Sequence, residues 1–147
     1  MKNYVLAALM LVCTSCKNTT VDRKDEEIMY KQSVLLNDVP KATLTFFDVQ
    51  DSRCPQGVQC FWAGNATVDL LLSGVTAEGG VNEHVKMCLG DCRTLYKMSS
   101  FKMADTLTKR FADENYRLIL TAVNPAAKVD STGNKEKRSI LLKIEKQ

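Results

Sequence analysis

The stretch DSRCPQGVQCFWAG, residues 51–64, holds the highest density of residues capable of chemistry in this chain. Cys54 and Cys60 flank a proline and a glycine, and the only tryptophan, Trp62, follows directly. Two cysteines at this separation can bind a metal, carry out redox chemistry or form a disulfide. A redox role has little support because the chain has no C-x-x-C motif in a βαβ context. The C-x5-C spacing also differs from the C-x2-C spacing typical of structural zinc sites.

A second cysteine stretch, HVKMCLGDC at 84–92, combines Cys88 and Cys92 with the only histidine, His84, and with Met87. Thiolate and thioether ligands select copper(I), so these four residues form a candidate copper site. Methionines in an apolar strand more often fill the core, and a lone histidine is more often a surface or core residue than a ligand. We therefore retain periplasmic copper binding as the alternative function and expect neither a metal nor a cofactor.

The N-terminus indicates an exported, lipid-anchored protein. Lys2 precedes the apolar run VLAALMLV, which is too short to span a bilayer but fits the apolar region of a signal peptide. Thr14 and Ser15 stand just before Cys16, an arrangement that resembles a bacterial lipobox, in which the cysteine is lipidated and becomes the first residue. Two or more acyl chains, such as palmitate, anchor a protein stably. The residue after Cys16 is Lys17 and not the aspartate of the inner-membrane retention signal. Its absence favours anchoring in the outer membrane.

The chain divides into three parts on this interpretation: a signal peptide at 1–15, lipidated Cys16 with a polar tether to residue 28, and one domain at 29–147. The tether sequence KNTTVDRKDEE contains a single apolar residue and cannot offset its own ordering entropy. Removal of residues 1–15 leaves enough chain for one domain with its own core.

Export also affects the interpretation of the cysteines, because disulfides persist outside the cytosol. The four cysteines of the domain allow three pairings. The local pairing, Cys54 with Cys60 and Cys88 with Cys92, is the simplest because each pair brackets a turn, and the other two pairings stay open. We expect both pairs to be structural disulfides.

The dominant hydrophobic period beyond the tether is two, which predicts half-buried β-strands. The segments that alternate are KATLTFFDV, NATVDLLLSG, YRLILTAV and RSILLKIEK, with shorter strands expected at 34–36, 83–88 and 93–98 and a tight turn at 89–91. About seven short strands predict an antiparallel β-sandwich, immunoglobulin-like or similar. In SSFKMADTLTKRF, the residues Phe101, Ala104, Leu107 and Phe111 recur at helical spacing, so a short helix is expected near 100–111, and an irregular connection into the strand at Tyr116 is the alternative.

Neither catalysis nor nucleic-acid binding is expected. With a single histidine and no nucleophile elbow, Walker motif or zinc-protease motif, the chain offers no recognisable catalytic set, and Asp48, Asp51 and Asp69 are not paired as acid and base. The simplest partner for Arg53 is an acidic neighbour such as Asp51. The formal charge of +3 lacks the concentrated basic face that nucleic acids require.

Residues 51–72 carry the sequence DSRCP, a short loop, a second cysteine and then WAG. This pattern resembles the signature of a group of small bacterial envelope proteins, many with lipoprotein signals. The resemblance implies a Cys54–Cys60 disulfide, Trp62 packed beside it and a chain turn at Gly64. It supplies no activity. We expect Trp62 in the core, but if it is exposed together with Phe61, the two rings form a candidate binding patch. The sequence thus predicts a non-catalytic binding module whose partner is a protein, a glycan or a small ligand.

Overall fold

A computed structural model describes residues 25–97, 101–126 and 135–147 of the chain. Its regular elements are nine strands and one short 3-10 turn, at Lys135–Lys137. The strands are β1 Glu26–Met29, β2 Ser33–Asn37, β3 Ala42–Asp51, β4 Asn65–Thr76, β5 Gly79–Asp91, β6 Phe101–Lys102, β7 Asp105–Phe111, β8 Glu114–Asn124 and β9 Ser139–Lys146. The predicted signal peptide, Cys16 and most of the predicted tether lie outside the described residues.

The strands form two antiparallel sheets, which confirms the predicted β-sandwich. One sheet has the order β1-β9-β8-β7 and the other the order β2-β3-β4-β5-β6. Neighbours within a sheet are consecutive along the chain except for β1, which pairs with β9. The connections are therefore mainly hairpins, without the Greek-key crossings of the immunoglobulin arrangement.

The core lies between the sheets and consists of the residues that the alternation selected. On β3, Leu44 and Phe46 are fully buried, and the predicted inward faces of β4 and β9 are buried as well. Each such side chain stabilises the fold by roughly 1.5–3 kcal/mol through burial. On β8 the face changes, because a bulge between Leu120 and Ala122 shifts the register and buries Val123 instead of Ala122.

The predicted helix near 100–111 is wrong. Phe101–Lys102 form β6, and Asp105–Phe111 form β7, which pairs along its length with β8. Leu107 and Phe111 are four residues apart, and this spacing fits one face of a helix and one face of a strand equally well. Asp105, Leu107 and Phe111 lie on the inward face at odd-numbered positions, as in a strand. The hydrogen bonds to β8 therefore decide between helix and strand.

The predicted strand at 83–88 is confirmed as part of β5, but the tight turn at 89–91 and the second strand at 93–98 are wrong. β5 continues through the proposed turn at 89–91 and ends at Asp91. Beyond it the backbone folds into tight turns, in which the amides of Leu95 and Tyr96 both donate to the Cys92 carbonyl. Residue 98 lies outside the described residues. β5 stays paired with β4 through Gly90, the glycine that suggested a turn, and the strand ends one residue later.

The domain begins earlier than the predicted position 29. β1 starts at Glu26, and Ile28, which we had placed in the tether, is fully buried in the core. The pairing of β1 with β9 gives this short segment a buried position that its polar composition does not indicate. Within the described part of the chain, no helix has the length and hydropathy needed to cross a membrane.

Candidate ligand-binding site

One end of the sandwich carries both cysteine stretches. β3 ends there at Asp51, β4 begins at Asn65, and β5 ends at Asp91. The register places Asp51 opposite Ala66 and Asn65 opposite Gly90, so the three strand ends lie side by side. We call this end, with the turns that leave it, the staple end.

Both local cysteine pairs are disulfides. Cys54 is bonded to Cys60 and Cys88 to Cys92, each with Cα atoms 5.9 Å apart. The structure thereby selects one of the three pairings that the sequence allowed. On the chain-entropy account, loops this short each stabilise the fold by about 2 kcal/mol. The disulfides also fix the shape of the two turns at the staple end.

The first turn, residues 52–65, continues the β3–β4 ladder beyond the sheet. The Ser52 amide donates to the Asn65 carbonyl at 2.7 Å, and the Cys54 amide donates to the Ala63 carbonyl at 2.8 Å. Residues 55–62 lie past this last rung and form the tip of the turn. Residues 56–63 are all exposed, so the tip projects into solvent.

The expectation that Trp62 belongs to the core is therefore wrong. Its side chain is 67% exposed and that of Phe61 is 98% exposed. The two rings contact each other edge to face, with centroids 5.7 Å apart and planes at 83°. Because both residues lie beyond the last rung of the ladder, they have no core to enter. The two rings are exposed together, which is the condition under which the sequence predicted a candidate binding patch.

Asp51 holds the base of the first turn to the opposite sheet. Its carboxylate accepts hydrogen bonds from Arg53 Nε at 2.8 Å and Nη2 at 2.7 Å, and it also binds Arg138 at the start of β9. Arg53 Nη2 also donates to the Pro125 carbonyl at 3.1 Å. The predicted Asp51–Arg53 pairing is confirmed, and the two guanidinium groups join both sheets through one buried carboxylate.

The electrostatics at Asp51 predict a pH-dependent stability. Burial alone would raise the pKa of Asp51, but hydrogen bonds from Arg53 and Arg138 outweigh it and hold the pKa below the ordinary 3.8. Because the pKa of Asp51 is lower in the folded chain than in the unfolded chain, the carboxylate stabilises the fold fully at any pH above its unfolded-state pKa. This contribution is lost as the pH falls through the folded-state pKa.

Asp51→Asn is expected to lower the free energy of unfolding by about 2 kcal/mol near pH 7, because an amide replaces one acceptor oxygen. The difference from wild type should shrink as pH falls below about 4. Urea denaturation at both pH values measures it, with the exposed Asp38→Asn as the matched control. A difference that stays constant across this range would contradict the assignment.

The second turn, which follows β5 at residues 92–97, is held by a buried carboxylate from β7. Asp105, 1% exposed, accepts hydrogen bonds from the Cys88 amide at 2.9 Å, the Tyr96 hydroxyl at 2.7 Å and Lys102 Nζ at 2.6 Å. Burial, and next the hydrogen bond to Asp105, raise the pKa of Tyr96 well above its ordinary value of 10.0. The tyrosine therefore stays protonated and remains a donor. Sequence reasoning missed this cluster, although Asp105 has the same parity as the buried Phe111.

An open groove of about 510 Å³ lies between the two disulfide-closed turns. We call it the inter-staple groove. Trp62 and Ser52 line it from the first turn, Arg93 and Thr94 from the second, and Asn65, Gly64 and Asp91 lie between them. The Asp91 amide donates to the Gly64 carbonyl at 2.9 Å, and Asn65 Nδ2 donates to the Asp91 carbonyl at 2.8 Å. These bonds join the two turns to each other.

Comparisons with known proteins do not name a ligand for this groove. The chain matches no protein-family model, no curated protein and no solved structure. What the groove binds must therefore be inferred from its own residues.

A second open depression, of about 490 Å³, lies on the other side of Gly64. Its walls are the exposed side chains of Phe101 and Met103, and small residues such as Ala63 and Gly90 lie between them. Its lining also contains the polar residues Arg53, Lys102, Thr121 and Asn124.

The structure does not bring the candidate copper ligands together. Along β5, His84 lies on the exposed face, whereas Met87 points into the core and is fully buried. Cys88 and Cys92 are bonded to each other and present no thiolate. His84 Nδ1 lies 2.9 Å from Asp69 Oδ1. Among the described residues, no three His, Cys, Asp or Glu side chains are placed to hold a metal ion.

The remaining candidate carboxylates are engaged in ion pairs. Asp48 and Asp69 are cross-strand neighbours beside the β3 bulge, a juxtaposition the sequence did not indicate. Lys135 Nζ donates to Asp48 at 2.7 Å, and this hydrogen bond holds the pKa of Asp48 below its ordinary value. Asp69 is paired with His84. A general acid near neutral pH needs a raised pKa, so the shift at Asp48 runs opposite to that requirement.

Proposed function

We propose that this chain is a non-catalytic binding module of the bacterial envelope, anchored through lipidated Cys16, that binds its partner at the staple end. The lipobox-like segment before Cys16 supports export and anchoring. Lys17 favours the outer membrane over the inner one. The paired state of the acidic residues supports a role in binding rather than catalysis.

The observation that carries the proposal is the exposure of Phe61 and Trp62 on a closed turn. Leaving two large aromatic side chains in water forgoes roughly 1.5–3 kcal/mol of burial for each. Adjacent exposed aromatics of this kind mark contact sites with ligands or partners, since the rings offer a large contact area with few rotatable bonds.

The rigidity of the turn supports the same conclusion. The Cys54–Cys60 disulfide closes it, and Asp51 and Arg53 fix its base to both sheets. A contact surface that is already ordered loses less conformational entropy on binding than a free loop would. Neither aromatic side chain contributes to the sandwich core, so the turn can be tested separately from folding.

Site-specific photo-crosslinking tests the proposal in the intact envelope. The full-length chain receives a photoreactive phenylalanine analogue in place of Phe61. The matched control carries the analogue in place of Val75, which is also exposed but lies at the far end of β4, roughly 30 Å away. We expect covalent adducts that depend on light and form at position 61 only. Equal adducts from both positions, or none from position 61, would contradict a binding role for the staple end.

A further inference from the structure

We propose that the inter-staple groove binds neutral sugar rings, with Trp62 as the platform on which a ring stacks and with Asn65, Thr94 and Arg93 as hydrogen-bonding partners of its hydroxyls. The inference rests on the proposed binding function and assigns a ligand class to it. A neutral glycan fits the groove for three reasons: its aromatic wall, its fixed polar groups and its balance of charge.

The aromatic wall is the indole of Trp62, which lines the groove from the first turn. The face of an indole carries negative quadrupole charge, so it attracts the weakly positive C–H groups of a sugar ring laid flat against it. The edge-to-face contact with Phe61 restricts the rotamers available to both rings. Trp62 therefore offers a large flat surface that needs little reordering on binding.

The polar groups of the groove are held by bonds within the chain and keep unused hydrogen-bonding capacity. Asn65 Nδ2 is committed to the Asp91 carbonyl and to Thr94 Oγ1, which defines the orientation of the amide and leaves Oδ1 as an acceptor with only a long contact to Ser52 Oγ at 3.5 Å. Thr94 accepts that bond and keeps its hydroxyl proton for a ligand.

Arg93 adds donors beside this amide. Two of its five side-chain N–H groups, one on Nε and one on Nη2, bind the Asp91 carboxylate. Three remain. A sugar hydroxyl is both a donor and an acceptor, and neighbouring hydroxyls need both kinds of partner close together. Asn65, Thr94 and Arg93 together supply that mixture along one side of the groove.

The charge balance of the groove favours an uncharged ligand. Among the described residues, Asp91 and Arg93 are the only charged ones that line it, and they are paired with each other. The hydrogen bond from Arg93 holds the pKa of Asp91 below its ordinary value, so the carboxylate stays ionised and offsets the guanidinium near neutral pH. A phosphate or an acidic sugar would meet no uncompensated cation here.

The two disulfides give the arrangement its geometry. Trp62 lies two residues after Cys60, and Arg93 lies next to Cys92, so each disulfide holds one wall of the groove. Because the groove is open, the expected affinity is weak, with a Kd on the order of 0.1–1 mM for a trisaccharide. Several copies of the lipid-anchored chain on one polymer would strengthen such binding by avidity.

Trp62 is the only tryptophan of the chain, so its fluorescence reports on the groove without labelling. Full-length lipidated protein in a zwitterionic, sugar-free detergent is titrated with the neutral trisaccharides cellotriose, maltotriose and triacetylchitotriose. Trigalacturonate is the acidic control, and a proline-rich decapeptide is the competing class. We expect at least one neutral trisaccharide to give a saturable shift of Trp62 emission, with no saturable shift from trigalacturonate.

Calorimetry with variants separates stacking from general structure. Trp62→Ala should weaken the binding of that trisaccharide at least tenfold, Trp62→Phe should retain part of it, and Asn65→Ala should also weaken it. Val58→Ala is the matched control, because Val58 is an exposed apolar residue of the same turn that does not line the groove. Unchanged thermal midpoints for Trp62→Ala and Val58→Ala show that the fold is intact.

The outcomes distinguish the sugar assignment from the wider proposal. Binding that Trp62→Ala leaves unchanged overturns the assignment, as does saturation by the decapeptide or trigalacturonate in place of the neutral sugars. If no probe binds while position 61 still forms specific adducts, the sugar assignment fails and the binding function stands. If position 61 also forms no adducts, both fail.

Discussion

Replacing Asp105 with alanine should lower the free energy of unfolding by about 3–5 kcal/mol, the range observed when one partner of a buried ion pair is removed. The carboxylate is 1% exposed and accepts three hydrogen bonds, from Lys102, Tyr96 and the Cys88 amide. Alanine leaves all three donors without their acceptor and opens a small cavity. The Cys88–Cys92 disulfide still closes the turn, but the turn loses the attachment to β7 that Asp105 provides.

Urea denaturation followed by circular dichroism measures this effect. Asp38→Ala is the matched control, because Asp38 is an exposed aspartate in the turn between β2 and β3. Its loss should change stability by less than about 0.5 kcal/mol. Asp105→Asn should lie between the two, since the amide keeps one acceptor oxygen and lacks the charge that Lys102 requires. Equal stabilities for Asp105→Ala and Asp38→Ala would refute the anchoring role.

Gly64→Ala is expected to destabilise the fold by about 2–5 kcal/mol, from a left-handed backbone conformation and an overpacked contact together. Gly64 has a φ of +68°, and a Cβ there would lie 1.9 Å from the Ser52 carbonyl oxygen. The Ser52 oxygen belongs to the backbone, and the backbone also fixes the position of a Cβ, so the contact cannot be relieved by a side-chain rotation. The arms of the first turn would have to separate, which would disturb the position of Trp62.

Gly57→Ala provides the control for this substitution within the same turn. Its φ of +81° carries the same conformational penalty, but a Cβ at that position meets nothing within 4 Å. The expected cost is about 1 kcal/mol, from the backbone conformation alone. Thermal and urea unfolding of the two variants therefore isolate the close approach of Gly64 to Ser52. Similar losses for both would show that conformation, and not the contact, accounts for the effect.

The alternation of apolar residues was sufficient to predict the sandwich and its inward faces. Leu44 and Phe46 on β3 are inside, as expected, because a strand exposes every second side chain to the same environment. The error at 100–111 has a definite cause. Leu107 and Phe111 satisfy both periodicities, and only the hydrogen bonds to β8 resolve the ambiguity.

The candidate site was only partly accessible from the sequence. Short separations favoured the two local disulfides, and Phe61 and Trp62 were identified as a possible patch. Whether those rings are covered depends on how far the opposite sheet extends, and this is a property of the packed sandwich. Asp105 could have been noticed as an acid at a core position, but its partners Cys88 and Tyr96 come from other parts of the chain.

Local patterns along the chain were enough to predict most of the strands and their inward faces, and two turns short enough to be closed by local disulfides, because these depend on residues a few positions apart. Only the packed fold shows that Trp62 faces solvent and that Ser52, Asn65 and Arg93 line one groove. Those residues meet only after β4 has paired with β3 on one side and β5 on the other. Strand register is a long-range choice, since a shift by one residue reverses every face.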